Sequence, residues 1–530
     1  MGSDEQPRRR PGQRIGLELR AHRRGRLATV ASPFLFADRP DDIARVRESL
    51  DRAGYTVDEV RHVIGDQGLA FLKGGELAPV LRRTQGGSAL KTLIRLFLCG
   101  VEVDLAAATR ALAPLPPEVW ATAGLVALGS SGVTGLLTLL PYEVTGRRWI
   151  VAYDSSRRRH QHAADYVLWV GDSSRTLASM TVRPQVERCL DLGTGSGVQG
   201  LHASHHADVV LATDRNPRAV AFAAFTMALN GIANVTTRQG DLFEPVEGER
   251  FGLIVSNPPF VISPEARFDW RDGGLPVDGI CQRIVERAPA HLADNGWCQI
   301  LANWVHPAHG GWKELLAGWF AGSGCDVWVI QREVEDAERY AARWIRYEEP
   351  DPSRTGEAFN AWMDFYRRSD VTAVGFGLIT MRRSSRASTW LRIDELTQDL
   401  AVPCGAAIRA SFDRFAWLAE RSGDERRLLE ERLTVADDVR LHERRVVSDG
   451  RWVVEETQLR QERGLRHLAS IDPQGVGLVA GCDGRHTLGE VLAQSADSLG
   501  ADVADVASRA LSTVRRLIEQ GFLLPEAGVQ

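Results

Sequence analysis

Between Asp191 and Phe260 the chain carries four groups of ligand-type residues, each following a short strand-like run. The first is Asp191-Leu192-Gly193-Thr194-Gly195-Ser196-Gly197, a strand that breaks into a glycine turn and enters a helix. Glycines suit such a turn because the backbone bends sharply and a ligand can approach without a Cβ in the way. After the run at 209–213, Asp214 stands where a carboxylate accepts hydrogen bonds from a ribose diol. Arg215 and Asn216 follow it, and Pro217 opens the next helix. Asp241 and Leu242 follow a third run, and Asn257-Pro258-Pro259-Phe260 a fourth. Strands that alternate with helices and end in ligand residues describe a parallel sheet with its site along the carboxyl edge. Gly195-Ser196-Gly197-Val198-Gln199-Gly200 also fits the dinucleotide pattern G-x-G-x-x-G, which is weak on its own. A nicotinamide site has no use for Asn257-Pro258-Pro259-Phe260.

Together these motifs resemble the class I S-adenosylmethionine-dependent methyltransferases, in the subgroup that methylates planar nitrogens. Residues 191–198, Asn216-Pro217 and Ser256-Asn257-Pro258-Pro259-Phe260-Val261 are most similar to the HemK-type glutamine methyltransferases. The resemblance covers about residues 185–305. It implies a Rossmann-like α/β core with a seven-stranded sheet, and S-adenosyl-L-methionine as cofactor. Cofactor contacts are expected from Asp191, Gly193, Thr194, Gly195, Gly197, Asp214, Arg215, Asn216, Asp241, Leu242 and Asn257. Asp191 is expected to orient the amino end of the methionine portion and Asp214 to hold the ribose hydroxyls. Asp241 and the Leu242 N–H are expected at the adenine. The catalytic residues implied are Asn257, Pro258, Pro259 and Phe260. An amide or exocyclic amine nitrogen is a poor nucleophile because its lone pair is delocalised. The Asn257 side-chain oxygen and the Pro258 carbonyl can hold its two hydrogens and aim that lone pair at the methyl group. Phe260 would pack on the planar substrate face. Catalysis is then positioning and desolvation, without a strong base.

The methyl acceptor expected is a protein glutamine of the release-factor type. An exocyclic amine of an rRNA, tRNA or DNA base is the alternative. A methyltransferase-like interaction protein without catalysis is a further reading, and the complete set of ligand residues speaks against it. The partner expected is thus a translation factor or RNA, in the cytoplasm, and neither a metal nor a membrane is expected.

The elements that must position these residues are spread along 530 residues, enough for about three domains. The expected division is a disordered basic tail at 1–31, a mainly helical substrate or partner domain at 32–165, the methyltransferase domain at 166–385 and an α+β accessory domain at 386–530. Seven cysteines without a C-x-x-C pair suit reduced thiols, not a disulfide framework. The net charge of −5 makes no general case for nucleic acid. Arginine outnumbers lysine 61 to 3, so arginine runs carry little weight. Residues 1–40 are net +5, from nine Arg against four acids, and offer a weak grip on RNA. No apolar segment of a secretory signal follows them.

From Pro40 the periodicity is helical: Asp41-Asp42 cap Ile43, Val46 and Leu50, and Gly54 ends the run. The uncharged stretch 119–140 is split by Gly129-Ser130-Ser131-Gly132, which argues for a helix followed by a strand, not a membrane span. Residues 147–153 read as a partner strand, and Arg157-Arg158-Arg159-His160 as a basic loop tip. His202, His205 and His206 have helical spacing and are expected on a solvent-facing side. The loop 263–274 is aromatic and glycine-rich, as a substrate lid would be. Residues 332–370 are an insertion with no assigned role. In the last domain, strands at 439–447 and 452–459 flank Ser448-Asp449-Gly450 as a hairpin, and helices at 488–494 and 503–520 suggest a winged-helix-like end. Its 18 Arg against 24 acids (residues 391–530) disfavour phosphate, so a protein contact or a homodimer is expected there.

Overall fold

The computed structural model describes residue 35 and residues 39–160, 163–264, 271, 272, 275, 277–348, 353–386 and 388–526. The expected tail at 1–31 and most of the aromatic loop, Phe268 and Trp270 included, lie outside them. The apolar runs from Val186 onward become one sheet: β1 (Val186–Leu192), β2 (Ala207–Asp214), β3 (Val235–Gln239), β4 (Phe251–Ser256), β5 (Leu292–Pro307), β6 (Cys325–Asp336), β7 (Val371–Arg383) and β8 (Leu391–Glu395). Their order is β8-β6-β7-β5-β4-β1-β2-β3. Neighbours are parallel except β7, which runs antiparallel to both β5 and β6. Strands covered on both faces read as near-continuous apolar runs, and Leu253-Ile254-Val255 and Val327-Trp328-Val329-Ile330 do so.

The chain steps outward from β1 to β3 and then returns to the other side of β1 to make β4. The order therefore reverses between β1 and β4, and their carboxyl ends flank the switch point where ligands bind in open α/β sheets. One strand was not expected. β8 adds to the seven, pairing parallel with β6, and the sheet continues past residue 385, where the domain was expected to end. The Trp328 indole N–H donates to Asp394 Oδ2 at 2.8 Å and locks this added edge.

Helices α1 (Asp172–Met180), α2 (Val198–Ala203) and α3 (Pro217–Leu229) lie on one face of the sheet, and α4 (Gly279–Arg287) on the other. The insertion forms α5 (Ala337–Glu348) and α6 (Thr355–Arg368), which pack on Val261 and Ile262 just past β4.

The N-terminal part is mainly helical and closes on a β element, as expected. Seven helices lie between Pro40 and Thr122, together with a three-stranded sheet and the hairpin Leu137–Val144/Arg147–Asp154. The first helix, Pro40–Arg52, buries Ile43, Val46 and Leu50 as its periodicity requires. The uncharged stretch is divided among the helix Pro117–Thr122 and short strands. Among the described residues no helix is long and apolar enough to cross a membrane. The core of this part runs without a break into Phe222, Phe225 and Leu229 of α3. Ile150 N donates to Asn230 Oδ1 at 2.9 Å across the junction.

Two expectations fail because this layer covers surface that the sequence left open. His202 and His206 are buried, not solvent-facing. α2 stops at Ala203, and the hairpin lays Tyr142 and Trp149 over it, with Tyr142 Oη 3.0 Å from His202 Nε2. Likewise, residues 156–160 form a short helix and not a loop tip, and Arg158 in it pairs with Asp154 and Asp165.

At the carboxyl end, α7 (Gly405–Ala419) buries Ile408, Phe412 and Phe415 against the sheet. A Cβ on Gly405 would stand 1.9 Å from the Thr181 carbonyl, so only glycine permits this approach. The hairpin Val439–Ser448/Arg451–Gln461 forms around Ser448-Asp449-Gly450 as expected. It pairs with Leu468–Ser470 and stands apart from the small sheet in which Arg432–Val435 lies between Asp483–Thr487 and Leu523–Pro525.

Candidate functional site

The glycine turn after β1 is held at both ends. Gly193, Gly195 and Gly197 all have positive φ, at 73°, 55° and 89°. The N–H groups of Gly193 and Thr194 both donate to the Thr213 carbonyl at the end of β2, at 2.8 and 2.9 Å. Beneath the turn, Asp191 Oδ2 accepts from Thr194 Oγ1 at 2.6 Å and from Gly200 N at 2.8 Å. Burial pushes the Asp191 carboxyl up to about 6, although those two donors favour its charged form.

Asp214 ends β2. Its Oδ2 accepts from Gly195 N and its Oδ1 from Asn216 N, both at 2.9 Å. Asn216 caps α3 by accepting from Arg218 N, and its Nδ2 donates to the Asp165 carbonyl at 3.0 Å. Past β3, Leu242 has the left-handed φ of 45°, unusual for a residue with a side chain. At the end of β4, Ser256 Oγ donates to the Leu192 carbonyl at 2.7 Å and ties the two switch-point strands together.

Asn257 comes next. Its Nδ2 donates to the hydroxyls of Ser173 and Ser174, in the first turn of α1, at 3.3 and 3.2 Å. That fixes the amide plane. Its Oδ1 is buried and has no hydrogen-bond partner among the described residues. Buried acceptors are normally satisfied, so this atom marks a place where a donor is missing.

These residues surround one cleft, which encloses about 1090 Å³ with its open mouth included. Of the expected site residues, Gly193, Thr194, Gly195, Asp214, Arg215, Asn216, Asp241, Leu242, Asn257, Pro258 and Pro259 line it. Asp191, Gly197 and Phe260 do not. Asp191 sits beneath the turn. A Cβ on Gly197 would meet Met227 Cε at 2.9 Å, so that glycine serves the contact with α3. Phe260 packs on Phe376, with ring centroids 5.7 Å apart, and not on the cleft wall where a planar substrate would lie.

The wall also holds residues that sequence reasoning missed: Tyr166, Val167, Leu168, Trp169, Ser174, Gln199, Ile280 and Ile284. The segment 166–169 is anchored from the N-terminal layer, since Val167 N donates to Asp154 Oδ2 at 2.9 Å. Asp154 is fully buried and takes a forked pair from Arg218, with Nη2 to Oδ1 at 2.5 Å and Nε to Oδ2 at 2.8 Å. The available signal was the aromatic run Tyr166-Val167-Leu168-Trp169 directly before the helix start Gly171-Asp172-Ser173-Ser174.

A single sheet of this order, with a glycine turn and an Asn-Pro-Pro-Phe segment facing each other across its switch point, is a class I methyltransferase fold. A family profile described as "Methyltransferase small domain" matches residues 170–320. Two profiles described as domains of unknown function match residues 52–135 and 409–525. A release factor glutamine methyltransferase of Xylella fastidiosa is 35% identical over 130 residues, which are 22% of this chain and 47% of the relative. A ribosomal protein uL3 glutamine methyltransferase of Bradyrhizobium diazoefficiens is 37% identical over 124 residues, 21% of this chain and 39% of the relative. The chain thus spans less than half the length of these two relatives. A release factor glutamine methyltransferase of Yersinia pestis is 30% identical over 204 residues, covering 32% of this chain and 74% of that protein. The chain belongs to the release factor glutamine methyltransferase family of HemK-type class I methyltransferases.

Proposed function

We infer that this chain transfers a methyl group from S-adenosylmethionine to the side-chain amide nitrogen of a protein glutamine. The observation that carries this is the buried, unpaired Oδ1 of Asn257 on the cleft wall. The glycine turn fits the cofactor. A Cβ on Gly193 or Gly195 would meet no protein atom within 4 Å, so both positions open onto free space in the cleft. Gly193, Thr194 and Gly195 would lie along the methionine portion. Asp214, which lines the cleft at the end of β2, would hold the ribose hydroxyls with its carboxylate, and Arg215 and Asn216 complete that side. Asp241 and the Leu242 N–H would meet the adenine. Asp191 would act from beneath, by shaping the turn, because Thr194 and Gly200 already occupy its Oδ2.

Bound S-adenosylmethionine supplies an electrophilic methyl carbon, and its sulfur keeps the electrons of the broken C–S bond. Asn257 Oδ1 would accept one hydrogen of the substrate amide and the Pro258 carbonyl the other, which leaves the nitrogen lone pair pointing across the cleft. One of those hydrogens leaves as a proton after transfer, to water at the open mouth. Ser173 and Ser174 hold the Asn257 amide in the orientation this requires. The names of the relatives support a translation component as acceptor, a release factor or a ribosomal protein.

The test is transfer of labelled methyl into a lysate of cells lacking the protein, followed by separate protease and nuclease digestion. Label should sit in protein, on a glutamine identified by mass spectrometry. Asn257→Ala should bind cofactor normally and lose transfer by at least ~10²-fold, the scale of one preorganised electrostatic contact. Label recovered only in RNA, or full turnover by Asn257→Ala, overturns the reading.

A further inference from the structure

The insertion between β6 and β7 has an address in the fold that bears on the cleft. It is longer than a β-hairpin needs, and α5 and α6 fold back over the segment that leaves β4. Both backbone groups of Ile262, two residues past Phe260, end on tyrosines of these helices. Ile262 N donates to Tyr340 Oη at 3.2 Å, and Tyr366 Oη donates to the Ile262 carbonyl at 2.9 Å. Tyr340 Oη also accepts from Asn303 Nδ2 at 2.6 Å, which roots it on β5. Ile262 is fully buried, and both tyrosines are nearly so. One residue earlier, Val261 N donates to the Arg271 carbonyl at 3.1 Å. Arg271 and Asp272 form a buried ion pair whose Asp272 Oδ1 also accepts from Ser263 Oγ at 2.6 Å.

We propose that the insertion is a clamp on the acceptor side of the cleft, with Tyr340 and Tyr366 acting as positioning residues for Asn257 and Pro258. The inference rests on the proposed methyl transfer for its catalytic consequence, not for the clamp itself. A proline pair restricts φ at two positions, but the direction in which the segment leaves the sheet is set where its next free backbone groups are tied. The first tie is Val261 N to the Arg271 carbonyl, and the next two are made at Ile262 by two phenols, each with one rigid ring. The Asn257 amide oxygen and the Pro258 carbonyl that would hold the substrate nitrogen lie five and four residues back along a chain with little freedom between. Small displacements at a reacting centre are costly, since about 1 Å can lower a rate by about 10²-fold. Burial raises the pKa of both phenols, so they remain protonated and the Tyr366 hydroxyl keeps its donor hydrogen.

The experiment compares Tyr340→Phe, Tyr366→Phe and their double variant with Trp362→Phe in the full-length protein. Trp362 lies in the same buried cluster and makes no hydrogen bond to the segment among the described residues, so it controls for loss of packing alone. Hydrogen exchange of the peptide spanning residues 257–264 reads the clamp without any substrate. It should rise in the tyrosine variants and stay at the wild-type level in Trp362→Phe. With the methylated acceptor in hand, the turnover number should fall about tenfold to a hundredfold in the double variant. Cofactor affinity and the KM for the acceptor should stay within about twofold, since neither ligand touches the phenols. Unchanged exchange in the double variant overturns the clamp. Increased exchange with unchanged turnover overturns the positioning role. A wild-type protein that methylates no glutamine, yet shows the exchange pattern, refutes the proposed activity and leaves the clamp standing.

Discussion

Two strand-end aspartates that look alike in the sequence have different surroundings. Asp191 is buried beneath the glycine turn and spends its carboxylate on Thr194 and Gly200, whereas Asp214 stands on the cleft wall with each oxygen holding one backbone N–H. Of the two, only Asp214 lines the cleft. Asp214→Ala should therefore weaken S-adenosylmethionine binding by about 1.5–3 kcal/mol, the worth of hydrogen bonds to a charged group. Calorimetry with unchanged affinity would remove Asp214 from the site. The residue types and their spacing were enough to nominate both aspartates. Which one reaches the cleft depends on side-chain direction at a turn whose glycines adopt left-handed φ.

α2 is short, and the histidines in and just after it show how an element's exposed side is decided from outside the element. The spacing of His202, His205 and His206 gave no hint of Tyr142 and Trp149, which come from a hairpin far back in the chain. Burial, then the positive charge of Arg183, lowers His202 to about 3 and His206 to about 4. An unfolded histidine takes up its proton near 6.5. Between about 6.5 and those values the unfolded chain binds more protons than the fold. The stability due to each neutral ring is complete above about 6.5 and is lost on acidification, by about 1.4 kcal/mol per pH unit. Asp191, held near 6, binds its proton earlier in the fold than in the unfolded chain and partly offsets that loss. Denaturant unfolding of His202→Gln from pH 7.5 to pH 4.5 should give a flatter decline than the wild type. Equal slopes would mean that His202 titrates normally.

The N-terminal layer and the sheet share a core, and one buried carboxylate connects that layer to the cleft. Asp154 closes the N-terminal hairpin, pairs with Arg218 at the start of α3 and holds Val167 in the wall. Asp154→Ala leaves the Arg218 charge without its forked partner in a largely buried place, and breaking such a pair costs about 3–5 kcal/mol. The same change frees the segment 166–169, so cofactor affinity should fall as well, measured at a temperature where the variant is folded. Lost stability with intact affinity would show that Asn216, through the Asp165 carbonyl, is enough to hold the wall.

Local sequence determined the sheet's apolar strands, the glycine turn, the placement of Asp214, and Asn257-Pro258-Pro259-Phe260 at a strand end. These depend on backbone permissiveness, on proline's fixed φ and on hydrophobic periodicity, all of which act within a few residues. It also determined the helix Pro40–Arg52 and the hairpin around Ser448-Asp449-Gly450. Tertiary structure alone decided the rest. It added β8 to the sheet, buried His202 and His206, drew residues 166–169 and Ser173-Ser174 into the site, turned Phe260 onto Phe376 and brought the insertion over Ile262. Each of these pairs groups far apart in the chain, and no local preference states which distant surface will exclude water from a given side chain.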